Sequence, residues 1–195
     1  TDEDARVRRF AVQLSEKFPL NDKVLALAKD PDLAVRYQLA LSLGEWDDPR
    51  ASGALGQIAA NQNDDPWMRS AVVSSAVKNA RTLILATGAA PKSAGRDALL
   101  TALASTAAAS TSDPNELLQY FNAITNKKHP EPWQMTGIAD TLKRKGIHPD
   151  QHTKGGLDLI IGAARDLASD NQASKSTREA AVRLLGRSSA DIPTL

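Results

Sequence analysis

The residues best suited to chemistry in this chain are two histidines and an aspartate between positions 148 and 152. His148 and His152 are four residues apart, a spacing that places two side chains on one face of a helix and suits a pair of metal ligands. Asp150 lies between them, but a third strong ligand is not apparent in the sequence. Because Pro149 predicts a helix start here, we interpret these residues as structural or solvent-exposed.

A second candidate follows at residues 153–156, TKGG. Glycines near a helix start can present backbone N–H groups to a phosphate. The longer glycine-rich spacing that precedes the lysine of a P-loop is missing, and the sequence contains no nucleophile-elbow motif. We therefore predict no catalytic residue, no metal site and no cofactor, and we expect that the protein is not an enzyme.

A repeated motif organises the chain: an acid and an arginine four residues apart, followed by apolar residues at helical spacing. The copies are separated by roughly 30 residues, a period typical of solenoid proteins. A partial copy begins at Arg178 and lacks the acid. The complete copies are Asp4 with Arg8, Asp32 with Arg36, and Asp65 with Arg69.

The apolar residues of the motif indicate how the copies pack. A two-helix hairpin cannot bury its apolar stripe alone, so stacked copies bury it between neighbours. Positions three, four and seven after each arginine share one helical face, as Leu39, Ala40 and Leu43 do. We expect the acid and the arginine to lie near the turn, where a charge-assisted pair ties one hairpin to itself or to the next. The alternative is an ordinary surface pair.

Residues 22–46, DKVLALAKDPDLAVRYQLALSLGEW, contain a first helix, an Asp-Pro turn and a second helix that opens with Val-Arg. This segment resembles the HEAT repeat family. Residues 48–77 match that family as well, and residues 4–17 and 176–187 match it less closely. The resemblance implies an all-α fold of armadillo type: a HEAT-like α-solenoid, or right-handed α–α superhelix, of about five helical hairpins.

The same resemblance implies one domain over residues 1–195. We expect regular repeats over residues 1–88, irregular helical hairpins over 89–175, and the start of a further repeat over 176–195. Whether the middle part consists of degenerate repeats or of an insertion stays open.

More narrowly, LALSLGEWDDPRA and DDPWMRSAVVSSA are similar to the helical-repeat segment of large membrane-bound dehydrogenases of planctomycete type. Those proteins also carry a sugar-dehydrogenase-like propeller and a haem-binding Cys-x-x-Cys-His segment, and this sequence has no cysteine. The resemblance implies a piece of a longer chain that serves as a spacer or docking module in a dehydrogenase or cytochrome-type protein. It also implies a periplasmic or exported parent protein.

Proline and aspartate predict where helices begin. Aspartate accepts bonds from the free N–H groups of a first turn, and proline suits the first helical position. Such pairs occur at Asp30-Pro31, Asp48-Pro49, Asp65-Pro66 and Asp113-Pro114. Beyond the hairpin at 22–46 and the segment 48–77, we predict helices over residues 4–17, 79–87, 95–110, 114–126, 132–145, 151–169 and 176–188.

The three tryptophans, at positions 46, 67 and 133, each fall near a predicted helix end. An indole ring there can cover a hairpin junction while its N–H group stays hydrated. We interpret all three in this way.

In the HEAT family the second helices line a concave surface, which implies that positions one and five after each arginine face outward there. We interpret these residues as contacts for a protein partner or for neighbouring domains of the parent chain; a merely solvated face is an equal alternative. The residues are Arg9, Gln13, Tyr37, Leu41, Ser70, Ser74, Glu179 and Arg183.

Charge and hydropathy restrict the remaining function classes. The chain has 24 basic and 23 acidic residues, which gives no general attraction to nucleic acid, and it has no apolar run of about 18 residues that would insert into a membrane. An alternative is a nucleic-acid-binding domain similar to HEAT-like DNA glycosylases, and an unrecognised enzyme within residues 88–170 is another. The phosphate contacts of the first alternative are Arg6, Arg8, Arg9, Lys127, Lys128, Lys143, Arg144 and Lys145.

Overall fold

The computed structural model describes residues 2–126, 128–146 and 157–186, and every regular element in that part of the chain is helical. The predicted all-α fold is therefore confirmed. The histidine pair with Asp150, the TKGG segment and Lys127 lie outside the described residues.

The chain divides into two compact units, Thr1–Thr106 and Ala107–Leu195. The first unit contains α1 (Ala5–Ser15), α2 (Asp22–Ala26), a single 3₁₀ turn η1 (Leu27–Lys29), α3 (Leu33–Ser42), α4 (Pro49–Asn61), α5 (Pro66–Ser74) and α6 (Ala80–Gly88). Next in the chain is α7 (Ala94–Ser110), which begins in the first unit. The second unit contains α8 (Pro114–Ile124), α9 (Pro132–Lys145), α10 (Leu157–Ser169) and α11 (Lys175–Leu185).

Aspartate caps begin several of these helices as the sequence predicts. Asp48, Asp65 and Asp113 each accept a backbone N–H bond from the first turn of α4, α5 and α8, and each is followed by proline at the first helical position. At Asp30 the prediction is wrong. The helix there begins later, at Leu33, and Asp32 is its cap. The carboxylate of Asp30 instead accepts bonds from Arg8 and from the backbone N–H of Asp32.

Helices of the first unit pack in two rows. In one row α1 packs against α3 and α3 against α5; in the other α2 packs against α4 and α4 against α6. The rows meet through contacts of α3 with η1 and of α4 with α5. Between them lies an apolar core whose fully buried side chains include Val35, Leu39, Leu43, Leu55, Ile58, Met68, Val72, Leu83 and Ile84.

Hydrogen bonds join neighbouring helices of the first row at their C-terminal ends. The hydroxyl of Ser75 donates to the carbonyl of Leu41 at 2.9 Å, and the hydroxyl of Ser42 donates to the carboxylate of Glu16. The indole Nε1–H of Trp46 donates to the carbonyl of Phe18 at 2.9 Å. Trp46 therefore covers a junction as predicted, but the prediction that its N–H stays hydrated is wrong.

In the second unit, α9 packs against α8 and α11, and α11 packs against α10. The side chain of Arg183 on α11 donates to Asp140 on α9 at 2.6 Å. Trp133 at the start of α9 is buried, and its Nε1–H donates to the carboxylate of Glu131 at 2.7 Å. The core is formed by Leu117, Phe121, Met135, Ile138, Leu142, Ile160, Ala164 and Leu184, all fully buried.

Substitution of Leu39 by aspartate tests the core. Leu39 is fully buried on α3, so Leu39→Asp would place an unpaired charge among apolar side chains at a cost of several kcal/mol. We expect cooperative unfolding of the first unit, measured by circular dichroism during thermal denaturation. Leu33→Asp, at an exposed position of the same helix, is the control. A Leu39→Asp variant that melts like the parent would contradict the packing of α3.

Two glycine substitutions test how closely α7 approaches the loop before α5. A Cβ atom at Gly95 would lie 2.3 Å from the carbonyl oxygen of Asn63, whereas a Cβ at Gly53 in α4 would meet nothing within 4 Å. We expect Gly95→Ala to destabilise the protein by roughly 1–3 kcal/mol because backbone must move. Gly53→Ala should stabilise it by up to about 1 kcal/mol through helix propensity. Urea denaturation measures both, and an equal effect of the two changes would exclude the close approach.

Candidate functional site

The repeated acids lie at the starts of the first-row helices. Asp4, Asp32 and Asp65 cap α1, α3 and α5 by accepting bonds from backbone N–H groups of the first turn. A carboxylate at this position satisfies donors that have no partner within the helix, and it also interacts favourably with the positive end of the helix dipole. The role of the acid is therefore local and structural.

The repeated arginines bond to the loop before each cap. Arg8 donates from Nη1 to the carbonyls of Asp2 and Glu3, both at 2.9 Å. Arg69 donates from Nη1 to the carbonyls of Asn63 and Asp64, at 2.8 and 3.1 Å. Arg36 donates in the same way to the carbonyl of Asp30. The sequence predicts a pair of the acid with the arginine; instead Arg8 and Arg69 each bond to the two residues that precede the acid, and Arg36 bonds to one of them.

Arg8 also connects two hairpins. Its Nε and Nη2 atoms donate to the Asp30 carboxylate at 2.7 and 2.9 Å, and both side chains are largely buried. The guanidinium of Arg8 lowers the pKa of Asp30 below its ordinary value of 3.8. The same bond raises the pKa of Arg8. This pair links α1 to the turn before α3, so it contributes to the stacking and leaves no charge free for a ligand.

A groove runs along the seam between α3 and α5. Near the N-terminal ends of the two helices it forms a cavity of about 590 Å³. Trp67, on its rim, is 72% exposed, and Leu33 is 46% exposed. The residues that line this part are Asp32, Leu33, Ala34, Tyr37, Asp65, Trp67 and Met68.

A second cavity, of about 490 Å³, lies near the C-terminal ends of the same helices. Leu33, Tyr37 and Leu41 are four residues apart and share one face of α3; the first two line the first cavity and Leu41 lines the second. We call both cavities together the α3–α5 groove. The second cavity is lined by Glu16, Leu41, Gly44, Glu45, Ser74, Ser75, Val77 and Lys78.

Carboxylates outnumber cations in the lining of the α3–α5 groove. Asp32 and Asp65 lie at one end, Glu16 and Glu45 lie at the other, and Lys78 is the lining residue with a positive charge. Exposed apolar side chains lie beside the acids at each end, so the groove offers apolar contacts next to negative charge.

Three of the eight contact residues expected from the sequence line this groove. Tyr37, Leu41 and Ser74 line the α3–α5 groove, and Ser70 is exposed on α5. Arg9 and Gln13 are exposed on α1. Glu179 and Arg183 lie on α11 in the second unit, where Arg183 is bonded to Asp140.

Sequence reasoning missed the apolar rim of the groove. Trp67 was expected to cover a hairpin junction, and its large exposure shows that this interpretation is wrong. Leu33 and Trp67 occupy comparable places, within two residues after an aspartate cap. A large apolar residue within two positions after the cap in both copies, where a polar residue would suit the solvent, is the signal that could have identified both.

Two of the basic residues expected as phosphate contacts form ion pairs within the chain. Arg6 forms an ion pair with Asp4 at 2.8 Å, and Arg8 bonds to Asp30. Lys128 lines a polar cavity of about 560 Å³ in the second unit, which also includes Gln119, Asn122, Ala123, Thr125 and Asn126. The described residues that line this cavity supply amide and hydroxyl groups, and none of them is an aromatic residue on which a base could stack.

Comparisons with known proteins give no match, neither to a family model nor to a curated protein nor to a solved structure. Among the described residues, no group of three or more histidines and acids could hold a metal ion. None of the helices described here combines the length and the apolar character needed to cross a bilayer. Function is therefore inferred from the geometry and charge of the α3–α5 groove.

Replacing Asp30 by asparagine tests the buried ion pair. Since folding lowers the pKa of Asp30, its stabilising effect is complete above the unfolded pKa and is lost as pH falls through the folded pKa. At pH 7 we expect Asp30→Asn to reduce the free energy of unfolding by about 2 kcal/mol. The difference from the parent should shrink below about pH 4, where Asp30 of the unfolded parent takes up a proton while the folded protein still holds it ionised.

Urea denaturation at a series of pH values measures this difference. Asp22→Asn is the matched control, because Asp22 contacts Arg50 at 3.1 Å at the surface with 91% of its side chain exposed. A loss of stability equal in the two variants, or one that does not change with pH, would contradict the role of the Asp30 carboxylate.

Proposed function

We propose that the chain is a non-catalytic protein-binding scaffold built from HEAT-like repeats. The two rows of helices in the first unit support this, since stacked hairpins of that family form such rows. The recurrence of a capping acid and a loop-holding arginine at each first-row helix supports it as well. On the resemblance stated above, the scaffold is a spacer or docking module of an exported dehydrogenase or cytochrome-type protein.

The observation that carries the proposal is the exposure of large apolar side chains in an acidic groove. Trp67 and Leu33 project from adjacent helices at one end of the α3–α5 groove, and Val77 is 58% exposed at the other end. Exposed aromatic residues that can be buried at an interface contribute much of the affinity of protein–protein complexes. Such a cluster in a concave seam is therefore suited to binding another polypeptide.

The negative charge of the α3–α5 groove indicates what kind of polypeptide it binds. The carboxylates at both ends of the groove favour cationic residues by charge complementarity. The partner we propose is a polypeptide segment with one apolar anchor residue flanked by lysine or arginine. The anchor would pack against Trp67 and Tyr37, and its basic neighbours would approach Asp65 and Glu45.

Synthetic peptides test this proposal directly. One set of peptides of about seven residues, too short to form a stable helix, carries leucine or tryptophan between lysines, and a matched set of the same length carries these anchors between glutamates. Fluorescence anisotropy should detect binding of the lysine set alone, and the affinity should fall as salt increases. Trp67→Ala should reduce it by roughly tenfold or more.

Leu85→Ala provides the control, since Leu85 is an exposed apolar residue on α6 outside the groove. Its affinity for the peptides should equal that of the parent. Equal binding of both peptide sets, or an equal loss in Leu85→Ala and Trp67→Ala, would show that the groove is not a selective site for cationic polypeptides.

A further inference from the structure

A second apolar surface lies on α1, away from the α3–α5 groove. Four large side chains are exposed along one side of this helix and the turn that follows it. Val7 is 48% exposed, Phe10 60%, Leu14 57% and Phe18 64%. Their spacing of three to four residues places them in one continuous stripe. We call these four residues the α1 stripe.

The other helices of the same row show what normally covers this position. Counted from the arginine of each copy, Val7, Phe10 and Leu14 correspond to Val35, Gln38 and Ser42 on α3 and to Met68, Ala71 and Ser75 on α5. The equivalent residues are all buried, except Gln38, which is half-buried.

A neighbouring helix of the row covers these equivalent residues in each case. The α3 residues lie against α1, where Ser42 donates to Glu16, and the α5 residues lie against α3, where Ser75 donates to the carbonyl of Leu41. The α1 stripe therefore continues the same interface one step further along the row. A helix is the element that fits there.

The side chains on this face of α1 differ in hydrogen-bonding capacity from the equivalent side chains of α3 and α5. Ser42, Trp46 and Ser75 donate hydrogen bonds to the preceding helix. In α1 the residues equivalent to Ser42 and Trp46 are Leu14 and Phe18, which have no donor to offer. The helix that covers the α1 stripe must therefore be held by apolar contact, without side-chain bonds from these positions.

Charged residues beside the stripe further restrict which kind of helix can bind there. Each stripe residue is directly preceded by a basic or amide residue, which places these residues along one edge of the stripe. We call this edge the cationic edge; it consists of Arg6, Arg9, Gln13 and Lys17, all exposed.

The cationic edge disfavours a second copy of this chain. In an antiparallel pair related by a two-fold axis, each edge faces the same edge of the partner, so positive charges would face positive charges. In a parallel pair the edge would face Ala11 and Ser15, which carry no charge, and the carboxylate of Asp4, which is already paired with Arg6. A partner helix with acidic residues beside its own apolar stripe matches both the α1 stripe and the cationic edge.

We propose that the α1 stripe binds an acidic amphipathic helix of another polypeptide, stacked on α1 as α1 is stacked on α3. The apolar side of that helix covers Phe10 and Leu14, and its flanking carboxylates face Arg9 and Lys17. This surface is separate from the α3–α5 groove, so it does not depend on the peptide-binding function proposed above.

The test uses the full chain with Trp67→Ala, which removes the aromatic residue of the α3–α5 groove, and two designed peptides of about 20 residues, a length sufficient for helix formation. Both carry leucine along one face; one has glutamate beside the leucines and the other lysine. We expect the glutamate peptide to bind, with affinity that falls as salt rises, and the lysine peptide to bind roughly tenfold more weakly or not at all.

Phe10→Ser and Leu14→Ser should each weaken binding of the glutamate peptide by roughly tenfold, with unchanged circular dichroism. Val182→Ser on α11, also an exposed apolar position, should bind like the parent. Equal binding of the two peptides, no binding, or equal loss in the control would overturn the proposal. So would sedimentation that shows a dimer of the chain, dissociated by Leu14→Ser, because the stripe would then be occupied by a second copy.

Discussion

The start of each first-row helix depends on two charged side chains that act on different backbone groups. The aspartate cap binds N–H groups of the first turn, and the arginine one turn later binds carbonyls of the preceding loop, as Asp65 and Arg69 do. A cation so near a helix N-terminus opposes the helix dipole by about 0.3–1 kcal/mol. Charge-assisted bonds to two carbonyls offset that cost. The loop is thereby fixed to the helix, and the angle at which the chain enters each second helix is set.

Before α3 and α5, the residue two places before the cap carries a connection to another part of the first unit. Before α3 this residue is Asp30, whose carboxylate binds Arg8 of the previous hairpin. Before α5 it is Asn63, whose side-chain oxygen accepts a bond from Ser93, near the start of α7, at 3.1 Å. The carboxylate of Asp30 thus connects to the preceding hairpin, and the amide of Asn63 connects to the residues at the start of α7. The residue two places before the cap can serve either connection because the arginine of the motif bonds to its backbone carbonyl and holds it in place.

Local signals in the sequence predicted much of this arrangement. Aspartate followed by proline identified the starts of α4, α5 and α8, because capping depends on residues within one turn. At α11 the cap is Ser174, four residues before Arg178, so serine takes the place of the acid in the copy that lacks it. The partners of the arginines were not predictable, since their acceptors are carbonyls whose position depends on the path of the loop. The exposure of Trp67 likewise depends on neighbouring helices and not on its own sequence context.

One row of helices presents two surfaces of opposite charge, and the cause lies in single positions of the repeat. At the seam of α3 and α5, the capping acids that every copy needs for its helix start also line a groove, so the negative charge there follows from folding. On α1 the position occupied by serine in α3 and α5 is Leu14, which removes the hydrogen bond that joins the other helices. The stacking geometry is retained at α1 while the chemistry of its outer face has changed. A surface that keeps the register of the row but replaces its polar bond with apolar contact is suited to a helix that differs from the chain's own repeats.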